Sequence, residues 1–187
     1  LAEAEATNLA RWLTAQPPNR LNARTYRKAL EQMSTDNDWS MRFLNEKQLQ
    51  RLKAGAFLAV AQGNPGAGAG IAHIRYRPGK TRECPTLALV GKGIIFDTGG
   101  TNLKPFKAML DMHHDMAGSA VAVSTLLALT RLQVPFAVDC WLAITENRLS
   151  GGAYKSRDIV TASNGTTIEV IHTDAEGRMA LADTLVL

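Results

Sequence analysis

The sequence predicts an α/β protein with layers of helix around a mixed sheet, and three observations predict it. Helical apolar spacing in the first third gives way to short apolar strands. One run, 136–144, is almost continuously apolar, as a central strand covered on both faces should be. The stretch before it, 118–132, is a nearly all-apolar helix that must be buried on most sides. Helices alternating with buried strands pack as α/β layers.

Taken in order, Ala6, Leu9, Ala10 and Leu13 sit at helical spacing over 3–15, and Pro17-Pro18-Asn19 stops that helix. Asn22 is the expected N-cap of a second helix running through Tyr26, Leu30 and Met33 to Ser34. A third helix spans 45–53, with Glu46 in its first turn, Lys53 in its last and Gly55 as its C-cap. Short strands are expected at 57–61, 71–77 and 86–90, with a Gly- and Ala-rich loop at 63–70. Pro135 closes the apolar helix. Strands at 159–161 and 167–171 flank Asn164-Gly165, a tight-turn dipeptide, and a final helix begins near Ala175.

Composition narrows the function. With 187 residues the chain is one domain, or one and part of another. The 45% hydrophobic and 20% charged content excludes disorder, collagen and coiled coil. The longest apolar stretch, 117–129, is interrupted by Gly118, Ser119, Ser124 and Thr125, too short and polar for a bilayer. No secretory signal pattern opens the chain. Cys84 and Cys140 form no CxxC pair, which argues against a disulfide framework or thiolate zinc site and fits a reducing compartment. The net charge of +4 is dispersed over 20–28, 42–53 and 75–82 among apolar positions, and 6% aromatic content does not make a nucleic-acid footprint. No dinucleotide fingerprint or phosphate loop occurs. The missing initiator methionine and an ending inside an apolar-periodic run point to part of a longer protein.

Two segments carry charge in apolar surroundings. The first is 91–105, where Lys92 and Asp97 stand at the end of a strand that reads as buried. Buried Lys and Asp are costly unless paired or bound to metal. The second is 172–178, where Asp174 and Glu176 lie two apart, so an extended backbone would point both to one side. Asp115 precedes the apolar helix. Asp97, Asp115, Asp174 and Glu176 together suggest a site for a hard divalent metal. Each signal has an ordinary structural alternative: Asp115 can complement a helix dipole, Asp174 and Glu176 can cap a turn, and Lys92 can be a pair partner. His113 and His114 invite a zinc site, but adjacent side chains on regular structure point apart.

The combination is more specific. Gly91-Lys92-Gly93-x-x-Phe96-Asp97-Thr98-Gly99-Gly100-x-x-Leu103-Lys104-Pro105, then Met112-x-x-Asp115-Met116-x-Gly118, then Thr173-Asp174-Ala175-Glu176-Gly177-Arg178, resembles the leucyl (cytosol) aminopeptidase family. Pro17-Pro18-Asn19 and Glu146-Asn147 extend the resemblance over nearly the whole chain. It implies a three-layer α/β/α fold of zinc-exopeptidase type, with a mixed, largely parallel sheet, of which residues 1–187 are the N-terminal part of the catalytic domain. A preceding domain and the downstream half would be absent, leaving the fragment poorly stable and weakly active. It implies a metal-dependent aminopeptidase acting on peptides, with Lys92, Asp97, Asp115, Asp174 and Glu176 as ligands of two divalent ions (zinc, manganese or magnesium) and Asp97 and Glu176 bridging them. Lys104 matches the lysine that polarises the scissile carbonyl, Arg178 the arginine that holds a bicarbonate general base, and Met112 the pocket for the substrate's first side chain. The same resemblance implies a cytoplasmic homohexamer.

Some positions depart from the family pattern. His113 replaces a usual Lys or Arg, Ala117 a usual Gly, Ser156-Arg157 the common Pro-Gly, and His172 a usual Asn or Thr. The competing classes are a DNA-binding or scaffolding module on the same fold, and another two-metal hydrolase such as a phosphatase, which lacks the expected His-rich ligands.

Overall fold

A computed structural model describes residues 1–79 and 85–187 of the chain. Cys84 and the end of the basic stretch 75–82 therefore lie outside the described residues. Helix α1 (Ala2–Thr14) ends before the Pro17-Pro18 turn. Helix α2 (Ala23–Asp36) starts at a capping box: the Asn22 side chain accepts from the Arg24 and Thr25 amides, and Thr25 accepts from the Asn22 amide at 2.9 Å. Asn45 and Gln48 repeat that box at α3 (Glu46–Arg51).

Between them lies β1 (Ser40–Asn45), a strand the sequence did not announce. Its alternation is shallow, with Met41 and Phe43 half-buried against exposed Ser40 and Arg42. A second correction concerns 57–61, which is helix α4 (Gly55–Ala61) instead of a strand. All but one of its last six side chains are buried, so no helical period shows, and a short apolar run cannot reveal its own type. Gly55 opens this helix and does not cap α3. The left-handed residue after α3 is Lys53, at φ +57°. A side chain at Gly55 would run into the carbonyl of Thr161.

The remaining elements are β2 (Gly70–Tyr76), β3 (Leu87–Asp97), a single turn α5 (Phe106–Met109), α6 (Ala117–Arg131), β4 (Val138–Asn147), the hairpin β5 (Ile159–Thr161) and β6 (Thr167–Glu169), and α7 (Glu176–Val186). Strand β3 runs seven residues past the expected 86–90, because Gly91 lies inside it instead of ending it. A Cβ there would sit 2.6 Å from Cα of Ser119, so the glycine lets α6 press directly on the strand.

The main sheet is mixed, in the order β1-β2-β4-β3, with β1/β2 and β2/β4 antiparallel and β3/β4 parallel. Helices α1, α2 and α6 cover one face, burying Tyr26, Leu30, Leu126, Cys140 and Leu142. Helices α3, α4 and α7 cover the other over Phe57, Val60, Ile71 and Ile94, giving three layers. Burial pushes the Cys140 thiol up to about 12, so it packs as an inert apolar group. Asp97 and Asn147 are register partners at the carboxyl ends of the parallel pair, the end where open α/β sheets place their ligands.

Two substitutions test this reading. Asp183 is fully buried on α7 and accepts from the Phe57 amide of α4 at 2.8 Å and the Ser163 amide of the hairpin at 2.7 Å. Asp183→Ala orphans both donors and is expected to cost about 2–4 kcal/mol in a denaturant titration. Arg157 holds φ +77°, the region that favours glycine, and it stands where the resembled family has glycine. Its ion pair with Glu169 at 2.5 Å is exposed and contributes little. Arg157→Gly should therefore stabilise the chain by about 1 kcal/mol, read as a raised melting temperature.

Candidate metal centre

Three backbone devices bring the charged residues together. The carboxyl end of β3 delivers Asp97. A 3₁₀ turn, Met112–Met116, delivers Asp115 at the entrance to α6. A second, Thr173–Ala175, leads into α7 and delivers Asp174 and Glu176. These two therefore share a tight turn and a helix start, and not the extended backbone the sequence suggested. Asp115, Asp174 and Glu176 lie at helix entrances, where backbone amides favour negative charge.

Among the described residues, Asp97, Asp174 and Glu176 each offer an oxygen within 4.8 Å of the others. Lys92 joins Asp115 to them, its Nζ lying 2.6 Å from Asp115 Oδ1 and 2.7 Å from Glu176 Oε1. Lys104 lies 3.1 Å from Asp97 Oδ2 and 2.5 Å from Asp174 Oδ1, the latter an ion pair without hydrogen-bond alignment. Glu176 is 1% and Asp97 2% exposed.

The electrostatics leave a deficit. Four carboxylates face two ammonium groups, a surplus of two negative charges in a largely dry site. Among the described residues, Asp115 Oδ2 and Glu176 Oε2 are buried with no hydrogen-bond partner. Burial pushes the Glu176 carboxyl up to about 7, aided by Asp97 and Asp115 and opposed by Lys92. Asp115 is raised by burial as well, again against the pull of Lys92. Burial works to lower both lysines, but their carboxylate pairs outweigh it and raise them. Orphaned carboxylate oxygens, with a net deficit of positive charge, fit divalent cations with a preference for hard oxygen donors.

Asp97 is aimed by its neighbours. Its Oδ1 accepts from the Gly99 amide and from Asn147 Nδ2, both at 2.8 Å, which leaves Oδ2 for a cation. Asn147 also donates to the Thr173 carbonyl at 3.0 Å, and the Tyr154 hydroxyl donates to the same oxygen at 2.6 Å. Thr173 Oγ1 donates to the Gly99 carbonyl at 2.6 Å, and Asn102 Oδ1 accepts from the Thr173 amide at 2.8 Å. The loop after β3 and the turn before α7 are thus sewn into one unit. Of these braces the sequence reading noted Asn147 and Thr173 within motifs but gave them no role, and it missed Asn102 and Tyr154. A buried amide closing an apolar strand is a usable signal for Asn147; Tyr154, in an irregular loop, gives none.

The other anticipated residues lie outside the cluster. Met112 is half-buried at the start of the turn that carries Asp115. Arg178 is exposed and lines a groove of about 350 Å³ with Ile168, Ile171, His172 and Met179. His172 caps the second turn, its Nδ1 accepting from the Asp174 amide at 3.2 Å, a duty that Asn or Thr performs equally well.

Comparison with known proteins gives a consistent result. Residues 8–187 match the model of the "Cytosol aminopeptidase family, catalytic domain". A "Probable cytosol aminopeptidase" of Stutzerimonas stutzeri is 46% identical over 193 residues, covering 98% of this chain and 37% of that protein. One from Solibacter usitatus is 40% identical over 182 residues, covering 97% of this chain and 38% of its own length. The chain therefore spans under two-fifths of the length of these relatives. Among solved structures, "Bottromycin maturation enzyme BotP in complex with Mn" superposes with a TM-score of 0.92 at 36% identity, covering all of this chain and 40% of that one.

The bracing makes a graded prediction. Asn147→Ala removes the donor to Asp97 and to the Thr173 carbonyl and leaves a cavity, so it should cost about 2–4 kcal/mol. Tyr154→Phe removes one donor and should cost about 1 kcal/mol. Chemical denaturation ranks the two, and an equal or reversed order would contradict the assignment.

Proposed function

The chain belongs to the cytosol aminopeptidase family, and from that membership we propose that it carries the metal centre of an aminopeptidase that removes residues from the free N-termini of peptides. The observation that carries this reading is the buried surplus of carboxylate over ammonium at the ends of β3 and β4. In the complete protein these residues would form the N-terminal part of the catalytic domain of a cytoplasmic homohexamer.

In this reading Lys92, Asp97, Asp115, Asp174 and Glu176 would hold two divalent ions, zinc, manganese or magnesium. When bound, such ions supply Lewis acidity to a water and to the scissile carbonyl. Lys92 ligates only as the neutral amine, whereas Lys104 must keep its proton to draw electron density from the carbonyl, so the two lysines divide the work by protonation state. Asp115, with one oxygen unpartnered among the described residues, would receive the ammonium of a free N-terminus, which favours exopeptidase action. Arg178 would hold a bicarbonate as general base, and Met112 would line the pocket for the first side chain.

Calorimetric titration of chelator-stripped protein with Mn or Zn should count two ions per chain. Asp174→Ala or Glu176→Ala should remove one or both. Lys104→Ala should retain both ions and lower turnover of an amino-acid amide by about 10²–10³-fold in the complete protein, since a contact made to the developing oxyanion is lost. Full turnover in Lys104→Ala would remove that role, and a wild-type chain that binds no ion would remove the metal centre.

A further inference from the structure

Lys92 can reach its two carboxylates only because no side chain stands at Gly177. The lysine leaves β3 between the entrance of α6 and the first turn of α7. On the α6 side a Cβ on Gly118 would approach the Lys92 amide nitrogen to 3.1 Å, its carbonyl oxygen to 3.3 Å and its Cβ to 3.4 Å, so the strand backbone would have to give by a few tenths of an ångström. On the α7 side a Cβ on Gly177 would meet Lys92 Cε at 2.6 Å, Cδ at 2.9 Å and Nζ at 3.0 Å, which no real side chain occupies. The lysine cannot simply swing aside, because its Nζ is fixed by Asp115 at 2.6 Å and Glu176 at 2.7 Å.

We propose that Gly177 is a positioning residue for Lys92: its bare backbone is one wall of the passage that brings the amine between Asp115 and Glu176. Gly177 has no unusual backbone demand to explain it, since it is the second residue of α7 and its φ is not positive. In an ordinary helix, glycine at such a place is less stable than alanine. The passage for Lys92 supplies the reason to keep it. Glu176 and Gly177 then act as a pair, the first offering the carboxylate and the second clearing the way to it. The inference rests on the proposed metal centre for its consequence but not for its geometry, and the two can fail separately.

The test is a double-mutant cycle on the 187-residue chain with Gly177→Ala, Lys92→Ala and both together, read by thermal melts without metal and by titration with Mn. With Lys92 present, Gly177→Ala should lower the melting temperature. It should also weaken one of the two Mn sites by at least about tenfold, the range seen when a group that orients a ligand is lost, while the other site is kept. In the Lys92→Ala background the added methyl fills vacated space, so Gly177→Ala should be neutral or stabilising. This reversal of sign is something a merely helical role for Gly177 does not produce. If Gly177→Ala raises the melting temperature in both backgrounds, as a plain helix substitution would, the proposal is overturned. If the sign reverses but wild type takes up no Mn, the passage stands and the metal reading falls.

Discussion

The structure depends on placing four buried or half-buried carboxylates side by side and holding them there. Left alone they would repel each other and resist burial. Two lysines from one side of the pocket offset half of that charge, Lys92 across Asp115 and Glu176, Lys104 across Asp97 and Asp174. Every device around the site serves this arrangement. The parallel pairing of β3 with β4 sets Asp97 beside Asn147, whose amide saturates one carboxylate oxygen and turns the other inward. The 3₁₀ turns before α6 and α7 place the other acids at helix entrances, where amide dipoles reduce the cost. Behind them Asp183 ties α7 to α4, so the helix that carries Glu176 is anchored to its neighbour in the same layer.

Much of this was legible in the sequence, and the gaps have physical causes. The N-cap at Asn22 and the apolar helix before β4 are local signals, and the structure bears them out. The charged residues of the site could be read as one group because charge inside apolar runs is costly and so informative. What stayed hidden is what depends on tertiary context. Helix α4 is buried on nearly every side and shows no period; β1 is a short edge strand of six residues whose inward Met41 and Phe43 are only half-buried. Gly55 reads as a helix C-cap, but it and Gly91 both mark close approaches of other chain segments. Tyr154 and Asn102 act through backbone atoms of Thr173 that no pattern of side chains announces.

The departures from the family pattern sort by the same logic. His172 keeps the function of the residue it replaces, because a ring nitrogen can accept the amide hydrogen bond that opens the turn. Arg157 does not: the backbone still takes the left-handed form that suits glycine, and an exposed ion pair with Glu169 returns little of the strain. Both lie away from the carboxylates and leave the charge arrangement untouched. Gly177 is the opposite case, a position where local helix preference would welcome alanine and the passage for Lys92 excludes it.

The surplus charge also sets a limit on how stable this fold can be. A third and fourth cation supplied by side chains would satisfy Asp115 Oδ2 and Glu176 Oε2, and the pocket would then be balanced without help. It would also be closed to any ion from solution. Leaving negative charge unmatched lowers the stability of the folded chain and favours the binding of dications. An ion that binds only the folded form returns that stability by mass action. Stability and metal affinity are therefore two expressions of one electrostatic deficit, and a substitution that improves the first by adding positive charge here must weaken the second.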